Sequence, residues 1–282
     1  MKKVSIIITT YLPESKRYLD LCIRSIENLD YPKEDLEVIV VGKPSYLPQY
    51  KIAKTVCPPR EHFHNSVGCN YGIKQASRNS DFIFLLNDDV FLTKNCLQPM
   101  ISFSERMKCV LNGISPCDNN VQYMLTFAFN KDGYQNVITQ QSHTYEQLEP
   151  YFNEMLDAES LYNMGFIKQE FLCMYATLFP RKIFDEIGYF DENLKTGQDD
   201  IDFSWRAIEK GYICGASLSS LIWHFGGATA AKTLDPSIRI ANLKYFKDKW
   251  KKLPPGMDEA LARLEKEQKT SAFKDRECMK GY

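Results

Sequence analysis

Two apolar runs constrain this chain most. VSIIIT, from Val4 to Thr9, and DLEVIVVG, from Asp35 to Gly42, are rich in β-branched residues and stay apolar without alternating. That is the pattern of strands covered on both faces. Between them Leu19, Ile23 and Ile26 recur at helical spacing, and DYPKED breaks the pattern before the second run. A strand, a helix and a strand in that order predict a β-α-β unit. The pattern then repeats. NSVGCNYGIKQASRNS predicts a helix from about Cys69 to about Asn79 or Ser80, and DFIFLL predicts the next strand. Open parallel sheets gather their strand-to-helix loops at the carboxyl ends of the strands, so a ligand is expected at that edge.

The 282 residues suit one large α/β domain with a tail as well as they suit two domains. Hydrophobic residues at 44% and charged residues at 25% supply a core and exclude a disordered or fibrous chain. Against 36 Asp+Glu stand 35 Lys+Arg, a formal charge of -1. No global basic field therefore draws the chain to nucleic acid or anionic lipid, and no stable nucleic-acid binding is expected. The nine cysteines are scattered and odd in number, without a C-x-x-C pair. This argues against a zinc ribbon or a disulfide framework and for a reducing compartment. The start, MKKVSIIITTYLP, has a short apolar run and no small-residue cleavage site, so it reads as a buried strand rather than a signal peptide. No apolar run approaches the ~20 residues that span a bilayer. The expected location is cytoplasmic, with membrane contact at most peripheral.

From Asp118 to about Gly165 the pattern weakens, with candidate strands around Val121 to Phe129 and a candidate helix around Tyr145 to Leu156. FLCMYATLFPRKIFDEIGYFDENL predicts a strand, a short helix from about Arg181 and a turn. After Pro254 and Pro255, MDEALARLEKEQK predicts an exposed polar helix. The expected division is one α/β domain over 1–250, which the resemblance given below implies to be the nucleotide-sugar-binding catalytic domain, and a C-terminal helical extension over 251–282.

Three stretches carry candidate chemistry. NDDV places Asn87, Asp88 and Asp89 at a strand end, and their hard oxygens suit Mg²⁺ or Mn²⁺ and, through it, a phosphate. The competing reading is an acidic turn capping a helix that begins near Lys94. In GQDDIDFSWRAIEKG, Ile201, Trp205 and Ile208 fall on one helical face and Gly211 is a stop signal. Asp199 and Asp200 then lie at the helix N-terminus, where free N–H groups favour the ionised carboxylate, so a base deprotonated at neutral pH is expected. Asp202 and Arg206 form a structural i,i+4 pair. In SSLIWHFGG, His224 follows an apolar strand, and Gly226 and Gly227 let the backbone approach a ligand.

VSIIITTYLP, EVIVVGKPS, GCNYGI, FLLNDDV, GYFDENLKTGQDDIDFSWRAIEKGY and WHFGG occur in an order that resembles family 2 glycosyltransferases of the GT-A fold, with a rhamnosyltransferase-like pattern, over roughly Val4 to Ala228. The resemblance implies a Rossmann-like, mostly parallel central sheet flanked by helices, and an inverting, metal-dependent transfer of a hexosyl-type sugar. The donor would be a nucleoside-diphosphate sugar and the acceptor a glycan or another hydroxyl. It carries Thr9, Thr10, Tyr11 and Asn70 over as nucleotide contacts, with Asn87 and Asp88 near ribose and phosphate. Asp89, assisted by His224, would hold Mn²⁺ or Mg²⁺. Asp200 would be the general base, with Asp199 as the other candidate. Two positions depart from the family pattern: Gly42 stands where an acid commonly contacts the base, followed by Lys43, and Asn87 replaces the first acid of D-x-D. The alternatives are a nucleotide-sugar-binding module without catalysis and a sugar-phosphate nucleotidyltransferase. The latter lacks its glycine-rich loop in TTYLPESKR.

Overall fold

Each β-branched run becomes a strand flanked on both sides. β1 (Val4–Thr9) pairs in parallel with β2 (Leu36–Val41) and with β4 (Phe82–Asn87), and β3 (Ala53–Val56) extends the sheet beyond β2. The computed structural model describes residues 1–11, 15–43, 45, 47–59, 64–115, 145–153, 165–195, 197–225 and 236–269. Every residue of β1 is buried. Alternation sends Ile6 and Ile8 into a cluster with Leu19, Cys22, Ile23 and Ile26 of α1 (Lys16–Glu27) and Met100 of α3 (Leu97–Arg106). Ile7 faces the other way, into a cluster with Ile39, Val41, and Cys69 and Ile73 of α2 (Asn65–Gln75). The lack of alternation in the sequence therefore reflects a sheet with helices on both faces.

α2 starts at Asn65, a turn before the expected position. Asn, Ser and Gly in its first turns are weak helix formers, and packing on the sheet overrides that preference. The contact is close. A Cβ at Gly72 would lie 2.4 Å from Ile7 Cγ2 and 2.8 Å from Val41 Cγ2.

Beyond β4 the strand directions mix. β8 (Ala176–Pro180) is antiparallel to β4 and to β6 (Cys109–Ile114). β9 (Ile213–His224) is parallel to β6, and both β5 (Val90–Leu92) and β7 (Phe166–Lys168) pair with β9 antiparallel. The strand path is β3-β2-β1-β4-β8-β6-β9-β5, with β7 also on β9. The α/β class and the helix-flanked central sheet hold, and the parallel pairing belongs mainly to the N-terminal half. Where a helix was expected from Lys94, the chain first forms β5 and enters α3 only at Leu97.

Of the candidate helix around Tyr145 to Leu156, α4 (Tyr145–Leu148) is present. The candidate strands at Val121 to Phe129 lie outside the described residues. α5 (Ile183–Ile187) follows β8 as expected. α6 (Asp199–Glu209) ends at Gly211, whose φ of 83° no β-branched residue would adopt readily and whose N–H reaches the Ile208 carbonyl. α7 (Pro236–Trp250) and α8 (Met257–Lys269) close the described chain. None of the described helices is long and apolar enough to cross a membrane. Cys22, Cys57, Cys69, Cys96, Cys109 and Cys214 are all thiols.

Candidate active site

Strand register assembles the site. Thr9, the last residue of β1, lies opposite Val41 on one side and Asn87 on the other. The chain leaving β1 through Thr10 and Tyr11 therefore runs beside Asn87, Asp88 and Asp89 leaving β4. β5 follows at once and pairs Val90 with His224 at the end of β9. His224 Nε2 consequently lies 3.2 Å from Asp89 Oδ1 and 3.4 Å from Asn87 Nδ2. The imidazole is held in place by the Tyr175 ring, stacked on it with centroids 4.6 Å apart, and the Tyr175 hydroxyl is anchored 2.6 Å from the Gly113 carbonyl. The backbone N–H of His224 donates to Ser115 Oγ, and that of Phe225 to the Asp89 carbonyl.

This donor set fits a divalent cation. A carboxylate oxygen and an imidazole nitrogen facing one another 3.2 Å apart are both groups that bind a divalent cation. Asp88, buried beside them, has an Oδ2 with no hydrogen-bond partner among the described residues. Burial, and then the charge of Asp89, push the Asp88 carboxyl up to about 7. No group of three or more His, Cys, Asp or Glu side chains gathers as a metal site among the described residues. Asp89 and His224 would thus supply two ligands and leave the remaining positions to phosphate and water, the usual manner of Mg²⁺ at a phosphate.

The acid pair opens α6. Gly197 and Gln198, with φ of 92° and 63°, turn the chain sharply into α6. Left-handed backbone at a non-glycine residue is strained and gathers at functional sites. Asp199 is buried and accepts from Gly197 N at 3.1 Å and from Asn65 Nδ2 at 3.2 Å. Asp200 is half-buried and accepts from Ile201 N at 2.8 Å. Both carboxyls titrate above the ordinary carboxylate range, Asp199 because burial disfavours its charge and Asp200 because burial is joined by repulsion from Asp199. The expectation that the helix N-terminus keeps this pair fully ionised is corrected here: desolvation and like charge outweigh the first-turn N–H groups. Asp202, fully buried, does pair with Arg206 at 2.9 Å, and also accepts from Trp250 Nε1 and Lys249 Nζ.

Among the expected nucleotide contacts, Thr9 and Tyr11 hydrogen-bond through their hydroxyls to Asn65 Oδ1, each at 3.2 Å. Thr10 is buried, its N–H on the Val41 carbonyl. Asn70 is drawn elsewhere. Its amide donates to the Phe190 carbonyl and Glu192, and its carbonyl accepts from Phe190 N, so it fastens the 190 turn to α2. Gly42 has no room for the family's acid, since a Cβ there would lie 2.6 Å from Leu47 Cδ1 and 2.8 Å from Thr10 Cγ2. Gly226 and Gly227 fall outside the described residues.

A family model described as Glycosyl transferase family 2 matches residues 5–188, which includes the edge with Thr9, Asn87 and Asp89. The chain belongs to glycosyl transferase family 2. No curated protein matches it. As a member of that family it is similar in fold to the crystal structure of S. aureus TarS, at 16% identity and a TM-score of 0.52, covering 86% of this chain and 38% of that one. The crystal structure of S. aureus TarS 1-349 in complex with UDP-GlcNAc is similar at 16% identity and a TM-score of 0.51, covering 87% of this chain and 66% of that one. The chain thus spans less than half of the longer TarS chain.

Sequence reading missed Asn65 and Tyr175. Asn65 lies ahead of the helix that the sequence predicts from about Cys69, and Tyr175 sits in an apolar run where an aromatic signals only core.

Proposed function

We propose that this chain transfers a sugar from a nucleoside-diphosphate sugar to an acceptor hydroxyl with inversion. The observation that carries this reading is that the ends of β1 and β4 lie side by side, with the Asp89–His224 pair, 3.2 Å apart, beyond β4, while Thr9 and Tyr11 at the end of β1 bond to Asn65, which bonds to Asp199 of the acid pair. A divalent cation held by Asp89 and His224 would neutralise charge developing on the leaving diphosphate. Asp200 takes the proton of the acceptor hydroxyl as its oxygen bonds to the anomeric carbon. The bond from that carbon to the diphosphate oxygen breaks, and its electron pair leaves with the nucleoside diphosphate. A base whose pKa lies near the working pH suits this step, and burial moves Asp200 in that direction. Tyr11, at the mouth of β1, would pack on the nucleotide base, and Lys43, half-buried beside Gly42, would reach a polar group of the donor.

UDP-GlcNAc, the ligand of the similar TarS structure, is the first donor to try. Release of UDP from UDP-GlcNAc should require Mn²⁺ or Mg²⁺, stop in excess EDTA and be lost in Asp89→Ala with the circular dichroism spectrum unchanged. Undiminished turnover in EDTA would remove the metal from the mechanism. Binding of UDP-GlcNAc with no turnover under any metal would favour the non-catalytic module.

A further inference from the structure

Asn65 opens α2 between two sets of residues that the proposed reaction uses separately. Its Oδ1 accepts from the hydroxyls of Thr9 and Tyr11, and its Nδ2 donates to Asp199 Oδ2, all three at 3.2 Å. Chemistry dictates this orientation of the amide, because an ionised carboxylate can only accept whereas the two hydroxyls can donate. Cys69 Sγ, one turn further along α2, lies 3.7 Å from the same Oδ1. Asp199 is thereby held at both oxygens, by Asn65 on one and by Gly197 N on the other. Asp200 accepts instead from Ile201 N, at 2.8 Å, and is the more exposed of the two.

We propose that Asn65 is a positioning residue that ties the nucleotide edge to the acid pair and, by holding Asp199 as the anion, makes Asp200 the acid that takes the acceptor's proton. This rests on the reading above that the pair serves as base. The N–H from Asn65 stabilises negative charge on Asp199. A negative Asp199 then raises the proton affinity of Asp200 beside it. Without that N–H the proton shared by the pair would settle on Asp199 and leave Asp200 the weaker base. The titratable groups facing Asp199 are Asp200 on α6, Cys69 on α2 and Tyr11 after β1. Burial keeps the thiol and the phenol neutral, so Asp200 is the charge that matters. The same amide touches Tyr11, so a base stacking on Tyr11 would also steady the residue that orders the pair.

The test is a carboxyl-carbon NMR titration of the full chain labelled at its aspartate side chains, with Asp199→Asn and Asp200→Asn assigning the two signals. Wild type should ionise Asp199 below Asp200. Asn65→Leu, of about the same size without polar atoms, and Asn65→Ala, which removes the amide without adding charge, should each raise the Asp199 titration by about one pH unit. In Asn65→Leu the Asp200 titration should fall. Asn65→Ala adds neither bulk nor charge and decides the matter if the leucine disturbs folding. Asp199 titrating in the variants as in wild type, or Asp199 ionising above Asp200 in wild type, overturns the proposal. The titration needs no substrate, so it is separate from whether wild type turns over UDP-GlcNAc, which tests the function itself.

Discussion

A carboxylate at a helix start gains from the free N–H groups and aligned dipoles of the first turn, by about 0.3–1 kcal/mol at an exposed site. At Asp199 and Asp200 that gain is smaller than the opposing cost, because burial and mutual repulsion both disfavour charge. The position of the pair was legible in TGQDD, where a turn precedes an amphipathic helix, but its charge state was not, since desolvation depends on what the fold brings around it. The consequence for stability has a definite sign. A carboxyl with a folded pKa above its unfolded value binds more protons when folded, so stability falls as pH rises from the ordinary carboxylate range toward the raised value. Asp200→Asn keeps the acceptor for Ile201 N and removes the charge. Its melting temperature should therefore exceed wild type at pH 8, by a margin that shrinks as the pH is lowered toward 4. The same variant should bind UDP-GlcNAc as wild type does and lose transfer by a factor on the order of 10² or more. If Asp199→Asn shows that pattern while Asp200→Asn stays active, the assignment is wrong by one residue. Thermal scans across pH and initial rates measure both.

The elements read most easily were those with a regular period. β1, β2, β4 and α1 have continuous β-branched runs or apolar residues at helical spacing, and the structure has them with both sheet faces covered. β5 and β7 are three residues each and carry no period to read, so only their pairing with β9 defines them. In α6, Ile201, Trp205 and Ile208 fall on one helical face by spacing, which predicts a single buried side. Phe203 and Ala207 pack toward the sheet, while Ile201 and Trp205 face Phe246 and Trp250 of α7. A helix covered on two sides has no single apolar stripe, and periodicity then picks one of them. α2 packs closely on β1 and β2 at Gly72. Gly72→Ala forces a methyl group to within 2.4 Å of Ile7 Cγ2, so helix and sheet must separate. Overpacking of this kind costs about 1–3 kcal/mol, read as a lower urea midpoint at unchanged slope. Because α2 also carries Asn65, the shift should slow transfer, and a variant with wild-type midpoint and rate would show that the contact gives way freely.

At the scale of the whole molecule, the sequence suggested a catalytic body over 1–250 and a helical extension after it. The described chain joins the two at graded strength. Trp250 reaches under α6, its Nε1 2.9 Å from Asp202 Oδ1, and its ring meets Trp205 edge-on at 5.2 Å. α8 touches mainly α7, with Leu261 and Leu264 buried against Ile240 and Leu243, and with Lys247 and Asp258 paired at 2.6 Å. An ion pair this exposed contributes about 0–1 kcal/mol, so the leucines hold α8 in place. α8 therefore bears on α7, whereas α7 bears on the helix that begins with Asp199 and Asp200. Leu261→Asp combined with Leu264→Asp should undock α8 and lower the melting temperature while leaving the rate of transfer and the affinity for UDP-GlcNAc near wild type. Trp250→Ala should lower both stability and rate, because it removes an N–H from a fully buried carboxylate and the ring that backs α6. Thermal unfolding and initial rates on the two variants separate these cases. A loss of rate in the leucine variant as large as in Trp250→Ala would place α8 within the catalytic body and move the boundary beyond residue 250.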